Sequence, residues 1–218
     1  MRIVISGTVG VGKSTISSLL AKKLKNKSYN IFYLKEETIN SIYLDYYYQS
    51  PQNWAFIAQL DFLLERFKQL LVNEKRIKLL DPKKIKKDIT IYDRHFLDDY
   101  IFAELNAIKN NISMFNSLTY QVIYKEMLSK MSQMDAKPDY FILLHAPIET
   151  VLNRMRSRGR SIEINTPEDY WKDLYYNYYN REMCKNHFQQ NVKNLINIDT
   201  QNRTPEEIVS EILTKIKI

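Results

Sequence analysis

Cysteine, glycine and long apolar runs are all scarce in this 218-residue chain, and each scarcity excludes something. The single cysteine, Cys184, rules out an intrachain disulfide and gives the oxidising, secreted class no support. No stretch approaches the ~20 apolar residues a membrane span needs, and the chain reaches a glycine loop at residue 7, which leaves no room for a signal peptide. The expectation is a cytoplasmic protein with no membrane partner. Only four glycines occur where an average chain is ~7% glycine, and three of them, Gly7, Gly10 and Gly12, share one loop. The fourth, Gly159, lies inside Arg158-Gly159-Arg160. Both places with permissive backbone are therefore also places suited to anions.

With 44% hydrophobic and 26% charged residues, the chain has an ordinary globular composition, and residues 1–218 are expected to form a single domain. The formal net charge of +7 favours anionic ligands without naming one. Lys83, Lys84, Lys86 and Lys87 could supply half of that excess and read as an exposed loop rather than a binding groove.

Met1-Arg-Ile-Val-Ile-Ser6 is a β-branched run ending at Gly7 and reads as a buried strand. Ile16, Leu19, Leu20 and Leu24 then mark a helix from Lys13. Further strands are expected at Ile31–Leu34, Ile89–Tyr92, Tyr140–Leu144 and Leu195–Ile198. A long helix follows Pro51, and others start near Leu97, Asn116 and Pro147. Thr166-Pro167-Glu168 and Thr204-Pro205-Glu206 each offer a capping Thr, a Pro at the first helical position and an acid at the positive helix end. Strands alternating with helices predict an α/β fold with a parallel sheet covered on both faces.

Gly7-Thr8-Val9-Gly10-Val11-Gly12-Lys13-Ser14 matches the phosphate-loop pattern in full, between a strand and a helix. The glycines let backbone N–H groups turn inward around phosphate oxygens, Lys13 reaches the β- and γ-phosphates, and Ser14 offers a hydroxyl to Mg²⁺. The expected nucleotide site is Gly7 through Thr15, with ATP as phosphate donor and Mg²⁺ as its companion ion.

Acceptor chemistry is expected where parallel strands end. The second strand ends in Lys35-Glu36-Glu37 and the third in Asp93-Arg94-His95. A carboxylate and an Arg beside a γ-phosphate suit transfer to a hydroxyl, the first taking the proton and the second neutralising developing charge. A surface ion pair would use the same residues. Asp93 also has the spacing of a Mg²⁺-shell carboxylate, which makes Ser14 and Asp93 the candidate metal ligands. Gln59 and Arg66 are seven apart on the long helix, so they share a face about 10.5 Å apart along its axis and could grip a flat ligand. Arg154, Arg156, Arg158 and Arg160 suit a segment that closes over transferring phosphates on a Gly159 hinge, at residues 154–165; a solvated basic helix end is the plainer alternative.

Taken together, these residues resemble the deoxynucleoside kinases, the group containing deoxycytidine, deoxyguanosine and deoxyadenosine kinases. The resemblance spans nearly the whole chain. It rests on the phosphate loop; on Tyr43 to Arg66 with Tyr48, Pro51, Trp54, Gln59 and Arg66 in family spacing; on Asp93-Arg94 followed by Asp99 and Ile101-Phe102-Ala103; and on Arg154-x-x-x-Arg158-Gly159-Arg160-x-x-Glu163. It implies a P-loop NTPase-type five-stranded parallel sheet flanked by helices with an Arg-rich lid, usually a homodimer joined through helices. It further implies that Glu36 takes the proton from the deoxynucleoside 5′-hydroxyl, with Arg94 and Lys13 as its catalytic partners. By the same resemblance Tyr48 and Glu163 hold the sugar 3′-hydroxyl, Gln59, Arg66 and Asp99 read the base, Trp54 walls the pocket, and Arg154, Arg158 and Arg160 form the lid over ATP. Glu37 stands where a Pro is usual and His95 where Ser or Thr is often found. Ionised Asp99 is acceptor-only and Gln59 offers a donor and an acceptor, which suits a base with an exocyclic amino group, adenine, cytosine or guanine rather than thymine. The resemblance to bacterial purine-deoxynucleoside kinases implies a purine deoxynucleoside as the favoured acceptor, with deoxycytidine possible.

Two other readings share part of this pattern. A monophosphate kinase of thymidylate kinase type has the loop, an Asp-Arg pair and an Arg lid, but needs no general base. A nucleotide-switched module binding nucleic acid would show steep salt dependence; the expectation here is no nucleic-acid partner.

Overall fold

The computed structural model describes residues 1–36, 41–81 and 87–218. Glu37 and the lysines at 83, 84 and 86 lie outside the described residues. β1 (Arg2–Ser6) leads into α1 (Lys13–Asn26), then β2 (Asn30–Leu34), α2 (Tyr43–Gln49), α3 (Pro51–Lys78), β3 (Asp88–Asp93), α4 (Phe96–Ile108), α5 (Met114–Gln133) and β4 (Tyr140–His145). There follow α6 (Ile148–Arg158), α7 (Ser161–Asn165), α8 (Glu168–Tyr179), α9 (Glu182–Asn191), β5 (Leu195–Asp199) and α10 (Pro205–Lys215).

The five strands form one all-parallel sheet in the order β2-β3-β1-β4-β5. Its middle strands are apolar on both faces: Ile3, Val4, Ile5, Ile89, Ile91, Phe141 and Ile142 are at most 1% exposed, as a sheet covered by helices on both sides requires. α1 packs on β1, β2 and β3 and against α10, while α4 packs on α3, α5 and α8, and α3 packs on α5. Because β1 sits between β3 and β4, the chain departs to opposite sides of it. The carboxyl ends of these strands therefore open the crevice where such sheets bind ligands.

A second, smaller apolar cluster of Tyr47, Ala55, Ala58, Phe62 and Ile112 joins α2 to α3. The break between those helices has a local cause. Ser50 precedes Pro51, whose ring disfavours helical backbone before it, and Ser50 adopts φ −146, ψ 74. Sequence reading placed no separate helix at α2 and none at α9.

The two capping threonines differ. Thr204 accepts from the Glu207 N–H at 3.3 Å and the Glu207 carboxylate accepts from the Thr204 N–H at 2.7 Å, a complete capping box. Thr166 does not cap α8: its hydroxyl donates instead to the Ile162 carbonyl at 2.7 Å, closing α7, and Pro167 stands at the cap position. Among the described residues no helix is long and apolar enough to cross a membrane.

Candidate active site

The phosphate loop wraps from the end of β1 to the start of α1. Gly12 caps α1 at φ +98, a left-handed conformation that side chains with a Cβ rarely adopt. Lys13, 6% exposed, folds back so that its ammonium donates to the Thr8 carbonyl at 2.9 Å. Burial, with the nearby Arg94 charge adding to it, pulls the Lys13 ammonium down to about 7. A buried cation short of anionic compensation is what an approaching triphosphate would relieve.

β2 and β3 are neighbours in the sheet, so the groups just past their ends meet. The Glu36 carboxylate accepts from Arg66 Nη2 at 2.8 Å and pairs with Arg94 Nε at 2.8 Å. Burial pushes its carboxyl up, but Arg94, Arg66 and Lys13 together outweigh that and hold it well below the usual carboxylate range. Arg94 itself is 2% exposed and sits at φ +72, between the last residue of β3 and the His95 cap of α4. Its N–H bonds the Ile5 carbonyl at 3.0 Å, which ties this strained residue to β1. His95 belongs to the frame rather than the cavity. Its ring accepts from the Leu97 N–H at 3.4 Å, it packs edge-on against Tyr92, and burial lowers its imidazole to about 3, so it stays neutral.

A cavity of about 340 Å³ runs from the loop into the space between α2, α3, α4 and α7. At the loop it is lined by Val9, Gly10, Gly12, Lys13, Ser14, Thr15, Arg158 and Arg160; Glu36 and Arg94 also line it. Its far end holds Gln59, Arg66 and Asp99 within a wall of Leu44, Tyr47, Tyr48, Phe62, Phe102, Ile162 and Trp171. Gln59 is fully buried and neither atom of its amide has a hydrogen-bond partner; Asp99, 1% exposed, leaves Oδ2 likewise unpartnered while Oδ1 accepts from Arg66. Unpaired buried polar atoms are costly, and several converging on one apolar cavity define a polar ligand's contact points. Burial raises the Asp99 carboxyl to about 7, with Arg66 opposing it.

Tyr48 and Glu163 both line this cavity. Glu163 is held by Arg158, whose Nη2 and Nε donate at 2.5 and 3.1 Å, and by Arg160 at 3.5 Å. Arg154 points elsewhere: it donates to the Thr200 hydroxyl at 2.9 Å and the Thr200 carbonyl at 2.7 Å. With Arg158, Gly10, Gly12 and Arg203 it lines a second cavity of about 310 Å³ on the other side of the loop. Gly7, Thr8 and Val11 are not on the main cavity's wall; Val11 lines the second one, and Thr8 supports Lys13. Trp54 is not on either wall. It stacks on Tyr46 with ring centroids 5.0 Å apart and packs with the small α2–α3 cluster, because the Ser50 break turns that side of α3 toward α2. The tryptophan on the cavity wall is Trp171, from α8, whose indole donates to the Glu163 carbonyl at 3.2 Å.

A divalent cation needs hard oxygen donors, and Mg²⁺ keeps most of its waters, so one or two protein ligands suffice. Ser14 lies beside Asp93, whose Oδ1 is a buried oxygen with no hydrogen-bond partner. That pair fits Mg²⁺ bound chiefly by phosphates and water. Among the described residues no group of three or more His, Cys, Asp or Glu side chains gathers into a fuller metal site.

The family model described as deoxynucleoside kinase matches residues 3–217. A deoxyadenosine/deoxycytidine kinase of Bacillus subtilis is 34% identical over 178 residues, covering 82% of this chain and 75% of the relative. A deoxyguanosine kinase of Lactobacillus johnsonii is 30% identical over 177 residues, covering 79% of this chain and 72% of the relative. Among solved structures, deoxyadenosine kinase from M. mycoides with bound dATP superposes with a TM-score of 0.77 at 31% identity over the whole of both chains.

Proposed function

This chain belongs to the deoxynucleoside kinase family, and from that premise we propose that it moves the γ-phosphoryl of ATP to the 5′-hydroxyl of a purine deoxynucleoside, with deoxycytidine a weaker acceptor. One observation carries the reading. Glu36, paired with Arg66 and Arg94, stands midway along a cavity that has the phosphate loop at one end and the unpartnered Gln59 and Asp99 at the other. A deoxynucleoside whose base meets Gln59 and Asp99 would thereby bring its 5′ end toward Glu36 and the γ-phosphate.

In this reading Glu36 takes the hydroxyl proton. Because three cations hold it ionised, it is a ready but weak base and accepts the proton late, after bond formation to phosphorus has acidified the hydroxyl. Arg94 and Lys13 balance the charge that spreads over the transferring group, and Arg158 and Arg160 close over it as a lid. Ser14 and Asp93 would hold Mg²⁺, which would supply further charge neutralisation. Tyr48 and Glu163 take the sugar. Arg154 serves the donor's far end rather than its γ-phosphate, consistent with its place on the second cavity. The dATP complex of the M. mycoides enzyme supports a triphosphate site in this fold.

The monophosphate-kinase reading fits less well. A phosphate acceptor wants unmatched cations, and here Arg66 and Arg94 are already matched by Glu36 and Asp99. We further propose residues 1–218 as one domain working in the cytoplasm and a homodimer formed through α3 and α5. These helices pack together, and each exposes an apolar stripe: Ile57, Leu64 and Leu71 recur every seven residues on α3, and Phe115, Leu118 and Val122 at helical spacing on α5.

The test is transfer from labelled ATP with Mg²⁺ to each of the four deoxynucleosides and the four deoxynucleoside monophosphates. Monophosphate products, highest from deoxyadenosine or deoxyguanosine, support the reading; diphosphate products move the chain to the rival reaction.

A further inference from the structure

We propose that Tyr178 and Tyr179, neighbours in the last turn of α8, are positioning residues for the two halves of the transfer centre: Tyr178 orients Arg94, and Tyr179 sets the phosphate loop. The proposal rests on the reading of Arg94 and the loop given above.

The geometry of the two phenols is parallel. Tyr178, 0% exposed, accepts from Arg94 Nη1 at 2.6 Å and donates to Asp98 Oδ1 at 3.0 Å. Asp98 is fully buried too, and it accepts from the Ser6 hydroxyl at 2.5 Å and from the His95 N–H at 3.0 Å. A continuous chain of hydrogen bonds thus runs from the end of β1 through Asp98 and Tyr178 to the Arg94 guanidinium. Tyr179 donates to the Leu144 carbonyl, at the end of β4, at 2.6 Å and accepts from the Thr8 N–H at 3.0 Å. The Thr8 carbonyl in turn receives Lys13. The approach is close enough that a Cβ on Gly7 would lie 3.1 Å from the Tyr179 hydroxyl and 2.5 Å from the Leu144 oxygen, at a φ of +134.

Arg94 needs such a holder. Its other side-chain contacts are the Glu36 ion pair, a longer ion pair of 4.0 Å with the same Asp98 that accepts from Tyr178, and the Phe102 ring, 5.0 Å from its guanidinium carbon. Glu36 is the group that the proposed reaction protonates, so its grip on Arg94 weakens as charge develops. Tyr178 is a neutral dipole throughout, because burial drives its phenol well above the ordinary value. It keeps Arg94 aimed while Glu36 changes charge. Consecutive residues on a helix point about 100° apart, so one helix end can reach both Arg94 and the loop. Moreover, α8 also carries Trp171 on the acceptor wall, so the same helix touches all three parts of the site.

Tyr178→Phe and Tyr179→Phe each remove one oxygen and keep the ring. Loss of a hydrogen bond to a charged group predicts that Tyr178→Phe lowers kcat roughly 10- to 100-fold, with KM for both substrates within about threefold. Tyr179→Phe is expected to act on the other constant, raising KM for ATP by roughly 3- to 30-fold with kcat changed less. Adding Tyr178→Phe to Arg94→Ala should change kcat by less than about twofold, since both act through one group. Should either Phe variant fail to fold, 3-fluorotyrosine at that position, which keeps the hydroxyl but weakens it as an acceptor, must shift the same constant in the same direction. If Arg94→Ala abolishes transfer while Tyr178→Phe keeps the wild-type kcat, or if both Phe variants alter only the melting temperature, the positioning proposal is wrong. An Arg94→Ala variant with wild-type kcat would instead remove the reading beneath it.

Discussion

Acidification through neutrality addresses the Gln59–Asp99 end of the cavity, proposed to read the base, because burial raises the Asp99 carboxyl to about 7. Ionised, Asp99 is acceptor-only, and its unpartnered Oδ2 suits an exocyclic amino group. Protonated, it meets that amino group with a donor. The carboxyl is raised, so the ionised form is present above about pH 7 and is lost as the pH falls through it. At saturating ATP, kcat/KM for deoxyadenosine reports the form that has yet to bind the nucleoside, and it should fall tenfold per pH unit below about 7, or about 100-fold by pH 5. Glu36 cannot be the source of that limb, since its carboxyl is held far below the range. Asp99→Asn should remove the limb and lower the plateau by a charged hydrogen bond, about 1.5–3 kcal/mol or roughly 10- to 100-fold. Because Arg66 keeps its bond to Glu36, kcat at saturating deoxyadenosine should change less than kcat/KM. A flat wild-type profile from pH 5 to 8, or an unchanged limb in Asp99→Asn, would refute the reasoning.

Nucleotide binding should take up protons, because the buried Lys13 ammonium titrates at about 7 and a triphosphate raises it. Calorimetry of ATP binding at pH 8 in buffers of different ionisation enthalpy should show uptake of about 0.9 proton, falling at pH 6 and absent in Lys13→Met; no uptake in the wild type would contradict this. Burying a charge in the apolar stripes of α3 and α5 should dissociate the proposed dimer: Leu64→Glu with Val122→Glu is expected to halve the mass measured by light scattering and leave the melting temperature of the monomer within a few degrees. A wild-type protein that is already monomeric at micromolar concentration would overturn that assignment.

Much of the site was legible in the sequence because it follows from backbone rules. The phosphate loop is a contiguous pattern, and strand ends in a parallel sheet converge, so Glu36 and Arg94 could be paired from two distant segments; the strand order β2-β3-β1 makes them neighbours. Gln59, Arg66 and Asp99 were reached the same way, from helix spacing and the resemblance, and all three line one cavity. What was missed depends on tertiary packing. Trp54 and Trp171 look alike as sequence; only the break at Ser50 and the docking of α8 decide that the second faces the cavity and the first stacks on Tyr46. Arg154 was grouped with the lid by spacing, but Thr200 at the end of β5 holds it away. Phe62 and Ile162 were not singled out, and Phe102 only within Ile101-Phe102-Ala103, because an apolar side chain on a helix gives no sign of whether it meets protein or ligand. Tyr178 and Tyr179 lie in a stretch with four tyrosines among five residues, and only the folded structure separates these two, with their hydroxyl partners, from the exposed Tyr176.

The central claim is that Glu36 is the base for transfer to a hydroxyl, and single-turnover transfer by Glu36→Gln tests it most directly. Labelled ATP, Mg²⁺ and deoxyadenosine are mixed with excess enzyme, and deoxyadenosine binding is measured separately by calorimetry. The account predicts a transfer rate roughly 10²- to 10⁴-fold below wild type with deoxyadenosine still bound within about tenfold of the wild-type affinity. Transfer within about tenfold of the wild-type rate, or a loss of rate matched by an equal loss of binding, would contradict it.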